Sequence, residues 1–188
     1  MKKPEVVMIG LGYIGLPTAA LIASKKVHVH GVDINPKVVE TINRGEIHII
    51  EPELDTAVAS AVKEGYLKAA TKAVEAKNYI IVVPTPFKDK NEPDISYVES
   101  ATKGILPLLK EGDLYIIEST SPVRTTEKMM NLIYRERPEL KDKIYIAYCP
   151  ERVLPGNVMY ELVHNDRVIG GINDASTKKA LSFYRNYI

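Results

Sequence analysis

The run VVMIGLGYIGLPTAALIAS, residues 6–24, governs the reading of the whole chain. Four apolar residues lead into Gly10-Leu11-Gly12-Tyr13-Ile14-Gly15, and an alanine-rich helical pattern follows. Glycine triplets also occur in ordinary turns, so GxGxxG carries weight only between a strand and a helix. That is its setting here. Gly10 permits the tight turn off the strand, Gly12 lets the backbone approach a pyrophosphate, and Gly15 lets the helix pack closely on the strand. The helix start then offers unpaired N–H groups and a positive dipole end to phosphates.

Working outward, the second apolar run ends in Val32-Asp33, about 18 residues after Gly15, where a ribose-binding acid is expected. A carboxylate there accepts hydrogen bonds from a ribose diol and repels a 2′-phosphate, so NAD is favoured over NADP. Lys37 and Arg44 follow, but neither adjoins Asp33, and they are not read as a phosphate clamp.

Beyond this unit, short β-rich runs alternate with longer helical patterns. Strands are expected over residues 5–9, 27–32, 79–83, 114–117, 144–148 and 167–169, with a weaker one at 66–70. Helices are expected over 14–25, 36–43, 52–63, 96–109, 126–137 and 175–187. Such alternation implies parallel βαβ units: an α/β, doubly wound, mainly parallel Rossmann sheet with helices on both faces. Ligands bind at the carboxyl ends of strands in such sheets. The loops 10–15, 33–36, 84–93, 119–126 and 149–157 should therefore carry function. In YIIVVPTPF, Pro84 and Pro86 stiffen the loop and hold the Thr85 hydroxyl toward the cofactor crevice. In ESTSPVRTTEKM a strand again runs into small hydroxyl residues, with Thr125 or Thr126 expected in the N-cap region of the next helix.

Composition narrows the function classes. The chain has 188 residues, 45% hydrophobic and 26% charged, with a formal net charge of +1, which suits one globular domain with a sizeable core. Near-neutral charge without a basic run gives no support for nucleic-acid or anionic-membrane binding. The apolar stretches are of strand length or carry polar residues, so no membrane span is expected. The start MKKPEVVMIGLG echoes a signal peptide, but glycines break its apolar run and it has no clear cleavage site. The single cysteine, Cys149, rules out an internal disulfide framework and fits a reducing compartment; a cytoplasmic protein is expected. His28, His30, His48 and His164 lack ligand spacing, so no metal is expected.

The segments GLGYIGLPTA, GVDIN, INRGEIHIIEPEL, VPTPF, EPDISYVESA, ESTSPV and YCPERVLPGN occur in that order. Together they resemble the UDP-glucose/GDP-mannose dehydrogenase family, and within it the UDP-N-acetyl-D-mannosamine dehydrogenase branch. The resemblance runs from Val6 to the last helix. Pro-Glu-Arg in CPERVLPGN is similar to the branch acting on N-acetylated sugars, where the UDP-glucose branch typically shows Pro-Glu-Phe. The resemblance implies a two-step oxidation of a nucleotide-sugar C6 alcohol to the carboxylate with two NAD+ and one water, through a cysteine thioester. It implies acid–base work for Glu151 around thioester hydrolysis and a place near the reacting water for Thr120. Tyr13, Ile14, Asp33, Thr85 and Thr126 match NAD-contacting positions, and Arg152, Val153 and Leu154 match the loop that touches the sugar. The residues of that loop agree: two prolines and a glycine make a shaped turn, with an acid–base candidate beside an anion-binding candidate.

The same resemblance sets an expectation about what the chain lacks. The family's lysine and asparagine lie on a later helical segment, and its nucleophilic cysteine lies in a second, UDP-gripping domain. Residues 1–188 are expected to form one NAD-binding Rossmann domain whose last helix, about 175–188, leads toward that absent region. The chain alone is expected to be inactive and monomeric, whereas the full enzyme, implied to be a homodimer, takes a UDP-N-acetylated hexose. Cys149, just before Pro150 at a strand end, reads as a small buried thiol rather than the nucleophile. Two other UDP-sugars, UDP-N-acetylglucosamine and UDP-glucose, remain open as substrates. A β-hydroxyacid or 6-phosphogluconate type of dehydrogenase would lack the CPERVLPGN and INRGEIHIIEPEL segments. A non-catalytic NAD-sensing module is the remaining class, and no partner surface marks it.

Overall fold

The computed structural model describes residues 3–188. Seven strands form one sheet: β1 (Val6–Ile9), β2 (Val29–Val32), β3 (Leu67–Ala70), β4 (Asn78–Ile81), β5 (Leu114–Ile117), β6 (Tyr145–Tyr148) and β7 (Gly170–Gly171). Their spatial order is β3-β2-β1-β4-β5-β6-β7. The first six run parallel, and β7 pairs antiparallel to β6 through Ala147 with Gly171 and Tyr148 with Gly170. Chain direction across the sheet reverses between β1 and β4, so the loops leaving these two strands diverge and open a crevice at the switch point. The helices are α1 (Gly15–Ser24), α2 (Pro36–Asn43), α3 (Leu54–Lys63), α4 (Ser96–Ile105), α5 (Thr125–Glu136), α6 (Val158–His164) and α7 (Asp174–Tyr187).

The sheet is covered on both faces because its central strands are apolar at nearly every position and buried throughout. Val6, Met8, Ile80 and Ile116 bury against Leu16 and Ala20 of α1, Leu54 and Val58 of α3, and Ala180 and Phe183 of α7. The alternate residues Val7, Tyr79, Ile81, Tyr115 and Ile117 bury on the other side with Val98 and Ile105 of α4 and Met129 and Ile133 of α5. Near-continuous hydrophobic strands of this kind belong to parallel sheets clad on two sides. The buried phenols are paired: Tyr115 Oη lies 2.7 Å from Thr102 Oγ1, and Tyr79 Oη donates to the Leu108 carbonyl at 3.3 Å.

Four expectations need correction. The last strand is not residues 167–169 but Gly170–Gly171, because Arg167 turns inward to the Leu162 carbonyl and Val168 is exposed. Residues 158–164, where no element is expected, form α6, whose first amide is held by a distant carboxylate described below. The helix expected to run to residue 109 stops at Ile105 and tightens into a 3-10 turn, Leu106–Leu108, at Pro107. Neither Thr125 nor Thr126 caps α5: Arg124 holds the N-cap position with φ of 71°, and the Thr125 hydroxyl donates back to the Pro122 carbonyl at 2.8 Å. The weaker expectation at 66–70 does form a strand, the edge strand β3 paired with β2.

Candidate functional site

At the switch point the glycine loop is shaped by two close approaches. Gly10 takes φ of 98°, and a Cβ there would collide with the Val82 carbonyl of the neighbouring strand end. A Cβ at Gly15 would strike the Gly10 carbonyl, so any larger residue would lift α1 off its strand. Gly12 has nothing within 4 Å of where its Cβ would be, which leaves the backbone open to a ligand. The start of α1 has no side-chain cap and no acidic residue in its first turn. Leu16 N and Thr18 N bond back to the Gly12 and Ile14 carbonyls and Pro17 has no N–H, so it is the amides of residues 12–15, with the positive dipole end, that are left to meet phosphate oxygens. Tyr13 is half exposed and Ile14 partly buried beside them. These features fit a dinucleotide.

Asp33 follows β2 and sits against the glycine loop. Its Oδ2 accepts the Leu11 amide at 3.2 Å and its Oδ1 accepts the Asn35 amide at 2.9 Å. The carboxylate is thus oriented by backbone from both sides, with lone pairs left over for a ribose diol. Ile34 next to it is 89% exposed, an apolar surface at the mouth of the crevice. Across the switch point, the loops after β4 and β5 are stitched together. Ser119 Oγ accepts the Val83 amide at 2.9 Å, and Thr85 Oγ1 donates to the Thr120 carbonyl at 2.5 Å. Thr85 therefore presents only lone pairs to a ligand. Thr120 itself is exposed, and Thr126, the second residue of α5, is partly buried.

The loop after β6 carries Glu151, Arg152, Val153 and Leu154. The two adjoining charged residues part company. The Glu151 carboxylate is turned inward, 9% exposed, with Oε1 accepting the Arg152 amide at 2.6 Å and Oε2 lying 3.8 Å from Arg167. The Arg152 guanidinium stays at the surface and donates to the Asp166 carbonyl at 3.3 Å. Val153 is partly buried and Leu154 exposed. A small cleft of about 10 Å³ touches Glu151, Arg152 and Arg167, roughly the room one water needs.

Two groups that sequence reasoning passed over shape this loop. Buried Glu51, from the INRGEIHIIEPEL segment, accepts the Gly156 amide at 2.8 Å and the Val158 amide at 2.6 Å. One carboxylate thus ties two segments a hundred residues apart, and its signal was an acid inside an apolar run. Glu161 of α6 accepts Leu154 N, Asn157 Nδ2 and Asn165 Nδ2, and these donors hold its carboxyl below the usual range. Cys149 is fully buried, and burial first, then the nearby Glu118 charge, pushes its thiol up. A buried, protonated thiol is a poor nucleophile. An open depression of about 630 Å³ along Ile47–Asp55 does not border the glycine loop, so the cofactor face is identified by strand topology rather than by a cavity. Among the described residues no acid, histidine and cysteine group is placed to hold a metal, and no helix is long and apolar enough to cross a membrane.

Residues 4–188 match the UDP-glucose/GDP-mannose dehydrogenase family, NAD binding domain. The UDP-N-acetyl-D-mannosamine dehydrogenase of Escherichia coli (strain K12) is 53% identical over 100% of this chain and 47% of its own length. The NDP-N-acetyl-D-galactosaminuronic acid dehydrogenase of Ralstonia nicotianae is 49% identical over 96% of this chain and 45% of its own. A solved UDP-N-acetyl-mannosamine dehydrogenase from S. aureus superposes with a TM-score of 0.93 at 39% identity, over 97% of this chain and 44% of that one. The chain spans about half the length of the curated relatives it matches.

Proposed function

Since this chain belongs to the UDP-glucose/GDP-mannose dehydrogenase family, as its NAD-binding domain, we propose that it is the cofactor-binding portion of a nucleotide-sugar 6-dehydrogenase. The substrate of the whole enzyme is UDP-N-acetyl-D-mannosamine, oxidised at C6 to the uronate with two NAD+. The observation that carries this reading is the convergence of the glycine loop and the Glu151–Leu154 loop on the carboxyl ends of one parallel sheet. The relatives named above act on N-acetylated sugars, and the Pro-Glu-Arg sequence at 150–152 supports the same class for this chain.

NAD supplies the hydride acceptor when bound. The residues of this chain do the rest on their side of the crevice. Amides at the start of α1 hold the pyrophosphate, with Gly12, Tyr13 and Ile14 lining the approach. Asp33 takes the ribose hydroxyls and repels a 2′-phosphate, which makes NAD+ the better ligand than NADP+. Thr85 and Thr126 contact the cofactor, and Thr120 stands near the water that reacts. Glu151 moves protons at that water, while Arg152, Val153 and Leu154 touch the sugar nucleotide. The family's cysteine, lysine and asparagine lie outside this chain, and so does the domain that grips UDP. Binding energy from that remote moiety would otherwise hold C6 in place. The chain alone is therefore a monomer that binds NAD+ without turnover, and the full enzyme is a cytoplasmic homodimer.

The test is calorimetric titration with NAD+ and NADP+, followed by absorbance at the reduced-nicotinamide band with UDP-N-acetyl-D-mannosamine. Tighter NAD+ binding, narrowed by Asp33→Ala, and NADH formation only after adding the C-terminal half are expected. Equal affinity for both cofactors would sink the Asp33 assignment. Steady NADH formation by the chain alone, abolished by Cys149→Ala, would overturn the division of labour.

A further inference from the structure

Beneath the Glu151 loop lies a buried group of charges that the cofactor site does not use. Glu118, at the end of β5, is fully buried, and its Oε1 accepts the Tyr184 hydroxyl of α7 at 2.5 Å. Its Oε2 is buried without a hydrogen-bond partner among the described residues, and so is Oε2 of Glu151. Between β6 and the next helix, the Glu151 amide donates to the Glu118 carbonyl at 3.3 Å, which sets the two residues side by side. Arg167 comes in from the segment before β7. It lies over the Tyr184 ring at 4.9 Å, has one guanidinium nitrogen 3.8 Å from Glu151 Oε2, and is 15% exposed. Among the described residues, the titratable groups facing Glu118 are Arg167, Tyr184, Glu151 and Cys149.

The charge count is unbalanced. Two carboxylates meet one cation, and the phenol and thiol are neutral: burial pushes both upward. A buried carboxylate oxygen with no donor is costly while ionised. One guanidinium cannot fully serve both.

We propose that Glu118 is a positioning residue for Glu151: the two carboxylates share the single guanidinium of Arg167, and the charge state of the buried one governs how firmly the other is held. When Glu118 is neutral, Arg167 belongs to Glu151 and draws its carboxylate inward. When Glu118 ionises, it competes for Arg167 and repels Glu151, which turns toward the cleft on its solvent side. Burial holds the Glu118 carboxyl up, at about 7, against the pull of Arg167 and the Tyr184 hydroxyl. The switch therefore falls near neutral pH. That Glu151 is the group worth positioning rests on the proposed function; the coupling itself does not.

The experiment reads the Glu118 side-chain carbon by NMR in the glutamate-labelled chain, assigned by its loss in Glu118→Gln. A midpoint near 7 is expected in the unaltered chain. In Glu151→Gln it should fall by about half a unit, because the neighbouring Glu151 charge helps to raise it. Should that variant lose its fold by circular dichroism, Arg167→Gln serves instead and should raise the midpoint by more, since the pull of Arg167 is the stronger effect. A Glu118 that shares no charge coupling with Glu151 and Arg167 would titrate at one pH in every folded variant, and that result overturns the proposal. NAD+ calorimetry on the same samples reports on the proposed function separately, so the two can fail independently.

Discussion

The glycine loop after β1 and the Glu151 loop after β6 stand at the same end of one sheet and are built from opposite materials. The first is backbone: three glycines, an uncapped helix start, and one carboxylate oriented by two amides. The second is side chains from remote segments: Glu51, Glu118, Arg167 and Tyr184 hold it from below. At Gly10 and Gly15 the backbone tolerates no extra atom, whereas a side-chain scaffold can lose a member and keep its outline. The first is thus a fixed cradle, and the second can respond to charge.

The most damaging test of this contrast is Gly10→Ala. The new methyl meets the Val82 carbonyl, a backbone atom that cannot step aside, at a φ of 98° that L-residues rarely adopt. A loss on the order of 3 kcal/mol or more is expected, with strain and collision acting together. Urea denaturation measures it, and NAD+ calorimetry should show no binding. A variant of normal stability and affinity would mean that the loop is as adaptable as its counterpart.

Next in size is the pH dependence contributed by Glu118. Its folded value of about 7 stands above the ordinary 4.5 because burial disfavours the charged form. The native state therefore binds this proton more tightly than the unfolded chain does. Its stabilising contribution is complete below pH 4.5 and is lost as pH rises through about 7. The shift corresponds to roughly 3 kcal/mol between those limits. Unfolding midpoints measured from pH 4.5 to 8 should decline in the unaltered chain and flatten in Glu118→Gln. Parallel curves for the two would show that the network does not carry the dependence.

These two regions also differ in how far the sequence exposes them. GxGxxG, the acid at position 33 and the apolar strands are local patterns, and local patterns survive folding: sheet order and crevice follow from them. The double capping by Glu51 joins positions 51, 156 and 158, and the Arg167 group joins 118, 151, 167 and 184. No periodicity marks partners so far apart. A glutamate closing the apolar strand LYII was the one visible hint, and its burial depends on α7 folding over it. The short α6 is hidden in the sequence for the same reason, since its first amide is satisfied from residue 51 rather than by a neighbouring cap.

A smaller effect is expected from Glu51→Gln. The amide side chain keeps one acceptor and turns an N–H toward an amide that needs an oxygen. Loss of one charge-assisted bond and exposure of a buried donor should cost about 2 kcal/mol. The cost should be local: hydrogen exchange at Gly156 and Val158 should quicken, and NAD+ affinity should stay as it was. Weakened NAD+ binding would show that the side-chain loop and the glycine loop are mechanically joined.

The finest comparison lies within two adjacent threonines at the start of α5. Thr125 is buried and its hydroxyl closes the turn onto the Pro122 carbonyl at 2.8 Å. Thr126 is partly buried, and its hydroxyl has no hydrogen-bond partner among the described residues. Replacing either by valine keeps the branching and the volume, so only the hydroxyl is tested. Thr125→Val should cost about 1 kcal/mol of folding stability, the usual worth of one such bond, with NAD+ affinity nearly intact. Thr126→Val should leave stability within about 0.5 kcal/mol, as surface substitutions do, and weaken NAD+ binding several-fold if its free hydroxyl serves the cofactor. Melting curves and calorimetry on the pair read the two effects independently. Stability lost at 126 and affinity lost at 125 would exchange their roles, and with them the assignment of Thr126 to the cofactor face.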